Sequence, residues 1–320
     1  MLDPDAFLPA VDPQAALADY GRYVEANTIE DLAQALRVIE SAAYEADLTE
    51  AGGARAAERV IGALGRGEPF SLMRIGDGEG NIMGAFDPDF AVARCFSTRL
   101  ILEMMFGTAD FPVREIEAMR RDMADAIESA DVLGVSDPVR IGRLQILRDE
   151  PGERQDVRGY MGSYESILQV ASRLRETGRR PPLAVSNHAH RHMMAHFPAI
   201  IAAAGRVTLI GPYDLGQAFM GAFGREARTL LIPNQASSTP GEGAKWYPEH
   251  HDALLAGIRP TPGELFLVSA GLLGKGLCRH VKAGGGVALD IGSAVDVWRG
   301  KPVRAYHDPG FITRFRLPQL

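Results

Sequence analysis

The chain has 320 residues, with 34 basic against 41 acidic side chains and a net charge of -7. That balance supplies no general electrostatic grip on nucleic acid or anionic lipid. Two cysteines, Cys95 and Cys278, are too few for a disulfide framework or paired metal knuckles. No run approaches about 18 uninterrupted apolar residues, so the expectation is a cytoplasmic protein without a transmembrane segment.

Residues 13–65 place apolar side chains at helical spacing in ALADYGRYVEA, IEDLAQALRVIESAAYEA and AGGARAAERVIGALG. This predicts a helical N-terminal extension over residues 1–65. Over residues 66–320 the pattern changes to short apolar runs that end in Gly, Asp, Asn or Ser and are followed by amphipathic stretches. Such alternation predicts a Rossmann-like α/β catalytic domain, a mainly parallel sheet with flanking helices. Seven runs read as strands: FSLMRIG, DVLGVSD (131–137), PLAVSNH (182–188), RVTLIGPYD (206–214), RTLLIPNQ (228–235), ELFLVSAG (264–271) and GVALDIGS (286–293).

In open parallel sheets ligands sit beyond the carboxyl ends of the strands. The run endings therefore gather Asp77, Glu79, Asp137, Asn187, His188, Asp214, Asn234, Gln235, Lys275, Ser293 and Asp296 as candidates. The first ending, SLMRIGDGEGNIMG at 71–84, carries Asp77 and Glu79 on alternate positions between glycines. Glycine lets the backbone turn sharply enough for both carboxylates to face one way. Hard oxygen ligands of this kind suit Mg²⁺ or Mn²⁺, which take the rest of their ligands from phosphate and water.

SNHAHRHMMAHF at 186–197 holds four histidines, and His188, His192 and His196 have the i, i+4 spacing of a zinc pair if the segment is one helix. That spacing sustains an alternative reading, a metal-dependent hydrolase. His188 directly follows a strand and reads as a phosphate or sugar contact, or as a base near neutral pH. At 268–286, VSAGLLGKGLCRHVKAGGG follows a strand and opens a helix, so the N–H groups around Gly274 and the Lys275 ammonium can meet a diphosphate. Its spacing is neither Walker A nor GxGxxG. In VALDIGSAVDVWRG at 287–300, Gly292 permits close approach of a ligand, Ser293 reads as a helix cap, Asp296 as a candidate base and Trp298 as core.

Taken together, RIGDGE at 74–79 and SAGLLGKGLCRHVKAGGGVALDIGSAVDVW at 269–298 resemble the GT-D glycosyltransferases, a family first described as a domain of unknown function. The resemblance spans roughly residues 66 to 300. It implies that Asp77 and Glu79 form a DxE motif for a divalent metal, Mn²⁺ or Mg²⁺, and that a nucleoside-diphosphate sugar is the donor. Ile75 stands where the family has phenylalanine, and Ser293 stands where a histidine follows the Ala-Leu-Asp-Ile-Gly strand. The implied activity is transfer of a sugar to a glycan, a glycoprotein or another hydroxyl acceptor. Arg74, Gly76, Gly274, Lys275 and Ser293 are the expected donor contacts, with His188 and Asp296 the candidate bases. A non-catalytic nucleotide-sugar-binding module is the other alternative.

Overall fold

Alternate side chains of a strand face opposite ways, and the short apolar runs of this chain are buried on both faces except at Ala227–Leu231, where Leu231 is exposed. The computed structural model describes residues 3–40, 50–136, 154–179, 181–236, 244–304 and 307–318. The candidate Asp137 and residues 237–243 of the long insert lie outside them. All seven apolar runs form strands: β1 (Phe70–Arg74), β2 (Val132–Val135), β3 (Leu183–Ser186), β4 (Arg206–Gly211), β5 (Ala227–Leu231), β6 (Glu264–Val268) and β7 (Val287–Asp290). They make one sheet in the order β3-β2-β1-β7-β6-β4-β5, and every neighbouring pair is parallel.

Helices cover both faces, as a parallel sheet requires. Met73, Leu133, Val135, Phe266, Val268 and Ala288 point to one face. There they meet α4 (Asp77–Met83), α5 (Ala91–Phe106), α6 (Val113–Ser129) and α7 (Arg154–Thr177). Leu72, Val132, Leu183, Val185, Leu209, Leu267 and Leu289 point to the other. Their cover is α8 (Ala189–Met193), α9 (Phe197–Ala203) and α10 (Gly216–Phe223). The steps β1–β2, β2–β3, β5–β6 and β6–β7 run one way along the sheet, and β3–β4 and β4–β5 run the other. Helices of the first set lie on one face and those of the second on the opposite face, which is what a constant crossover hand demands. That first face also receives α11 (Glu249–Gly257) and α12 (Gly274–Ala283), whereas α13 (Ala294–Trp298) and α14 (Pro309–Phe315) close the second. Trp298 sits in the second core, edge-on to Phe197 and Phe219.

The N-terminal helices bury their apolar stripes in the same two cores. Ahead of β1 come α1 (Pro13–Ala26), α2 (Ile29–Glu40) and α3 (Glu50–Arg66); the first two join the core containing α7, and α3 joins the other. Tyr20 and Tyr23 of α1 meet Tyr160 and Tyr164 of α7 edge to face. The Tyr23 hydroxyl donates to Glu165 at 2.8 Å, and Glu165 pairs with Arg94 at 2.9 Å. Among the described residues, no helix is long and apolar enough to cross a membrane.

The glycines around Asp77 and Glu79 do something other than turn the chain. Gly76 is extended, and Gly78 and Gly80 lie within α4 with no positive φ. A Cβ on Gly80 would fall on the carbonyl oxygen of Gly162 in α7, and one on Gly162 would fall on the carbonyl of Asp77. The two helices therefore touch main chain to main chain. Three residues before Gly162, Gly159 has open space at its Cβ position. We expect Gly162→Ala to destabilise the protein by about 1–3 kcal/mol through overpacking. Gly159→Ala should instead stabilise it by about 0.5–1 kcal/mol through helix propensity. Urea denaturation of the two variants checks this; equal shifts would show that the helices do not make this contact.

Candidate functional site

The chain leaves β1 toward the helices of one face and β7 toward those of the other, and open α/β sheets hold ligands in the crevice between two such strands. Arg74 ends β1 and Asp290 ends β7, and the two meet there. Arg74 Nη2 pairs with Asp290 Oδ1 at 2.9 Å, and Arg74 Nε donates to the Asp290 carbonyl at 3.1 Å. Arg74 Nη1 donates to the Asn187 carbonyl at 2.9 Å and lies 2.9 Å from His190 Nδ1. Gly292, at φ +46°, lets the guanidinium pass, since any Cβ there would strike it. The same glycine lines the cleft, where the sequence places it for close approach of a ligand.

Lys275 extends the chain of charges. Its Nζ lies 2.5 Å from Glu79 Oε1, 2.8 Å from Asp290 Oδ2 and 3.2 Å from the Gly271 carbonyl. Three oxygens thus face an ammonium that has three donors. Glu79 Oε2 in turn accepts the Gly76 N–H at 2.8 Å. Lys275 and Asp290 are each only 3% exposed at the side chain, so their charges survive by mutual compensation. Burial opposes the Lys275 charge, but Asp290 and Glu79 outweigh it and hold its pKa above the ordinary value. Burial likewise opposes the Asp290 carboxylate, and Arg74 with Lys275 outweighs it, holding that pKa down.

A cleft of about 430 Å³ opens beside this network. Of the sequence candidates, Arg74, Gly76, Asp77, Glu79, Asn187, His188, Asn234, Gln235, Lys275, Ser293 and Asp296 line it. Gly274 does not: a Cβ there would meet Val268 and Ala270 of the core. Asp214 also lies away from the cleft, fixing its own loop through Gly216 N and Thr229 Oγ1. Asp77 and Glu79 do not face the same way. They occupy the first and third positions of α4, so Glu79 turns inward to Lys275 while Asp77 reaches Arg158 Nη1 at 3.3 Å. Ser293 stands at the N-cap of α13 without capping it, and its hydroxyl instead lies 3.3 Å from His307 Nε2.

Asp296 accepts from the Tyr213 hydroxyl at 3.0 Å. Burial raises the Asp296 pKa, against the opposing pull of Tyr213, Arg304 and Lys301. Burial and the Asp296 charge push Tyr213 up to about 12, so it stays a donor. The histidine run is not one helix: α8 ends at Met193, a 3₁₀ turn covers Met194–His196, and α9 begins at Phe197. The α-helical spacing of His192 and His196 is therefore lost, whereas His188 stands at the N-cap of α8. Among the described residues, no group of three or more His, Cys, Asp or Glu side chains is gathered to hold a metal.

Asp290, His190, Arg158 and Tyr213 were not singled out from sequence. A carboxylate inside the otherwise apolar VALDIG strand is the signal that marks Asp290, because a buried charge needs a partner. Nothing local marks Arg158, which reaches Asp77 only because α4 and α7 touch.

No family model and no curated protein matches the chain. Two solved structures are similar to it. One is a selenomethionine-substituted structure of domain of unknown function 1792, at 15% identity and TM-score 0.40, covering 74% of this chain and 76% of that one. The other is described as showing that this highly conserved domain has a distinct glycosyltransferase fold; it is 17% identical at TM-score 0.40, covering 76% of this chain and 82% of that one. At this depth of superposition the α/β assignment rests on the sheet order and crossovers themselves.

Two outcomes test the network. Asp290→Asn should cost about 3–5 kcal/mol, because it strands the buried Lys275 and the partly buried Arg74; adding Lys275→Met should recover part of that loss in urea denaturation. Burial, reinforced by Arg74, pushes His190 well below the ordinary 6.5, so the folded protein keeps it neutral. The unfolded chain then binds a proton that the folded chain does not, and stability present above about pH 6.5 is lost as pH falls. Denaturation midpoints between pH 7.5 and 5.5 should fall less steeply in His190→Gln than in the wild type. Parallel curves would place the pH dependence elsewhere.

Proposed function

We propose that the chain transfers a sugar from a nucleoside-diphosphate sugar to a hydroxyl of a glycan or protein-linked acceptor. The observation that carries this reading is the cleft at the β1–β7 junction, where Arg74, Lys275 and Arg158 stand among Asp77, Glu79 and Asp296. When the glycosidic bond to the donor breaks, the diphosphate gains negative charge. Pre-positioned positive groups in a partly dry wall stabilise that charge without reorganising. Asp296, oriented by Tyr213 and biased by burial toward holding a proton, is suited to take the proton of an acceptor hydroxyl. His188 lines the same cleft as a sugar or phosphate contact.

A divalent cation belongs to the proposal in a narrower form than DxE implies. Glu79 is held by Lys275 and the Gly76 N–H, so Asp77 is the carboxylate of the pair that reaches outward. A single outward carboxylate fits Mg²⁺ or Mn²⁺, which accept one or two carboxylates and complete their shell with phosphate oxygens and water. Bound there, the cation would add positive charge at the leaving diphosphate. We place the activity in the cytoplasm, where the two buried thiols, Cys95 and Cys278, stay reduced.

Uridine-, guanosine-, adenosine- and thymidine-diphosphate sugars, incubated with Mn²⁺ and hydroxyl acceptors, test the reading through release of the nucleoside diphosphate. Chelator should weaken nucleoside-diphosphate binding in calorimetry. Asp77→Asn should lower turnover by about tenfold or more, roughly 1.4 kcal/mol, with little change in melting, because Asp77 is partly exposed. Glu79→Gln is not a clean test, since it also breaks a buried ion pair. Wild-type turnover in Asp77→Asn would remove the metal assignment, and absence of binding to every donor would remove the function.

A further inference from the structure

We infer that the hydroxyl acceptor carries an anionic group, a carboxylate or a phosphate, and that Arg304 and Lys301 hold that group beside Asp296. The inference deepens the sugar-transfer reading and rests on it.

The chain as a whole is acidic, with 34 basic against 41 acidic residues. Residues 299–316 reverse that balance: Arg299, Lys301, Arg304, Arg314 and Arg316 stand against one acidic residue, Asp308. Three of these cations collect around the Tyr213–Asp296 pair, whose carboxylate lines the cleft. Arg299 Cζ and Lys301 Nζ each lie 5.0 Å from the centroid of the Tyr213 ring. An aromatic face holds a cation in place without neutralising it. The Lys301 N–H donates to the Asp296 carbonyl at 2.8 Å, which ties the two backbones together. Arg304 is exposed and lines the cleft with Asp296.

A counter-ion is what these three cations lack. Arg74 and Lys275 pair with Asp290, and Arg158 pairs with Asp77. Among the described residues, Arg299, Lys301 and Arg304 make no ion pair. The acidic residues nearest to them in sequence or around Tyr213 are engaged by their own surroundings. Asp214 accepts from Gly216 N and Thr229 Oγ1, and Asp308 accepts from Phe311 N. Like charges gathered without a partner repel one another, and a cleft concentrates their field on whatever enters it. An anion placed there relieves the repulsion.

Position tells which ligand brings the anion. Arg74 and Lys275 act on Asp290 at the β1–β7 junction, the end assigned to the leaving diphosphate. Arg304 and Lys301 act instead on Asp296, the group suited to take the proton of the hydroxyl acceptor. A charge carried by the acceptor close to its reacting hydroxyl therefore falls to Arg304 and Lys301. Arginine offers two oxygens a planar fork and lysine adds a point charge, a combination that takes a carboxylate or a phosphate.

Calorimetry in the presence of uridine diphosphate and Mn²⁺ tests this with two pairs of probes that differ in charge: tetragalacturonate against its methyl ester, and glucose 6-phosphate against glucose. The wild type should bind the anionic member of at least one pair about tenfold or more tightly than the neutral one, and which pair responds tells carboxylate from phosphate. That preference should shrink as salt is raised. Arg304→Gln should remove most of it and Lys301→Gln part of it, while uridine diphosphate binds as before. Arg314→Gln, on α14 and outside the cleft lining, should keep the preference. Equal affinity within both pairs, or equal losses in Arg304→Gln and Arg314→Gln, overturns the inference and leaves the sugar-transfer reading in place. So does an Arg304→Gln protein that loses uridine diphosphate affinity as steeply as probe affinity, because the cation then serves the donor. Failure of the wild type to bind any nucleoside diphosphate overturns both.

Discussion

Everything at the cleft hangs on one alternating chain of charges, Arg74, Asp290, Lys275 and Glu79, at the carboxyl ends of the two central strands. Each member belongs to a different element: β1, β7, the start of α12 and the start of α4. Desolvation makes a buried charge expensive without a partner, so the four elements stabilise one another only when they arrive together. The sheet order brings β1 beside β7, and the β6–β7 crossover delivers Lys275 over that junction. A buried network of this kind favours one arrangement over alternatives that leave a charge unpartnered.

Rigidity here has a chemical use. Because Arg74 is held by Asp290, Asn187 and His190, and Lys275 by Asp290, Glu79 and Gly271, their positive charge is oriented before any ligand arrives. Outside this inner pair, Arg158 and Asp77 make a longer and more exposed contact. Asp296 with Tyr213 forms a third group on the neighbouring wall, tied to the loop after β4 and to α13.

Much of this was legible in the amino-acid order. Strand runs such as ELFLV and VALD are short, apolar and stopped by glycine or a polar residue, and fully buried strands cannot read otherwise. Because parallel strands all end on one edge, naming the strands also named most of the cleft lining, from Arg74 to Asp296. What was hidden depended on pairing across the fold. DGEG reads as a flexible turn because glycine is ambiguous between freedom and thinness; here Gly80 is thin, lying against Gly162. Asp290 looks like one more strand residue until Arg74 and Lys275 converge on it. The histidines at 188–196 keep helical spacing on paper, yet the 3₁₀ turn at Met194–His196 breaks their register.

The main-chain contact between α4 and α7 bears on how inactive variants should be interpreted. The separation of Asp77 from Arg158 is set by the thickness of two peptide backbones rather than by side chains that can repack. Substitutions at 80 or 162 would widen that gap while every polar group of the cleft remained present and correctly charged. Such proteins would pass for variants of the chemistry itself, although neither glycine lines the cleft. A survey of inactivating changes would thus outline two populations, one made of charges and one made of missing methyl groups, and the second would mark the calliper that spaces the first.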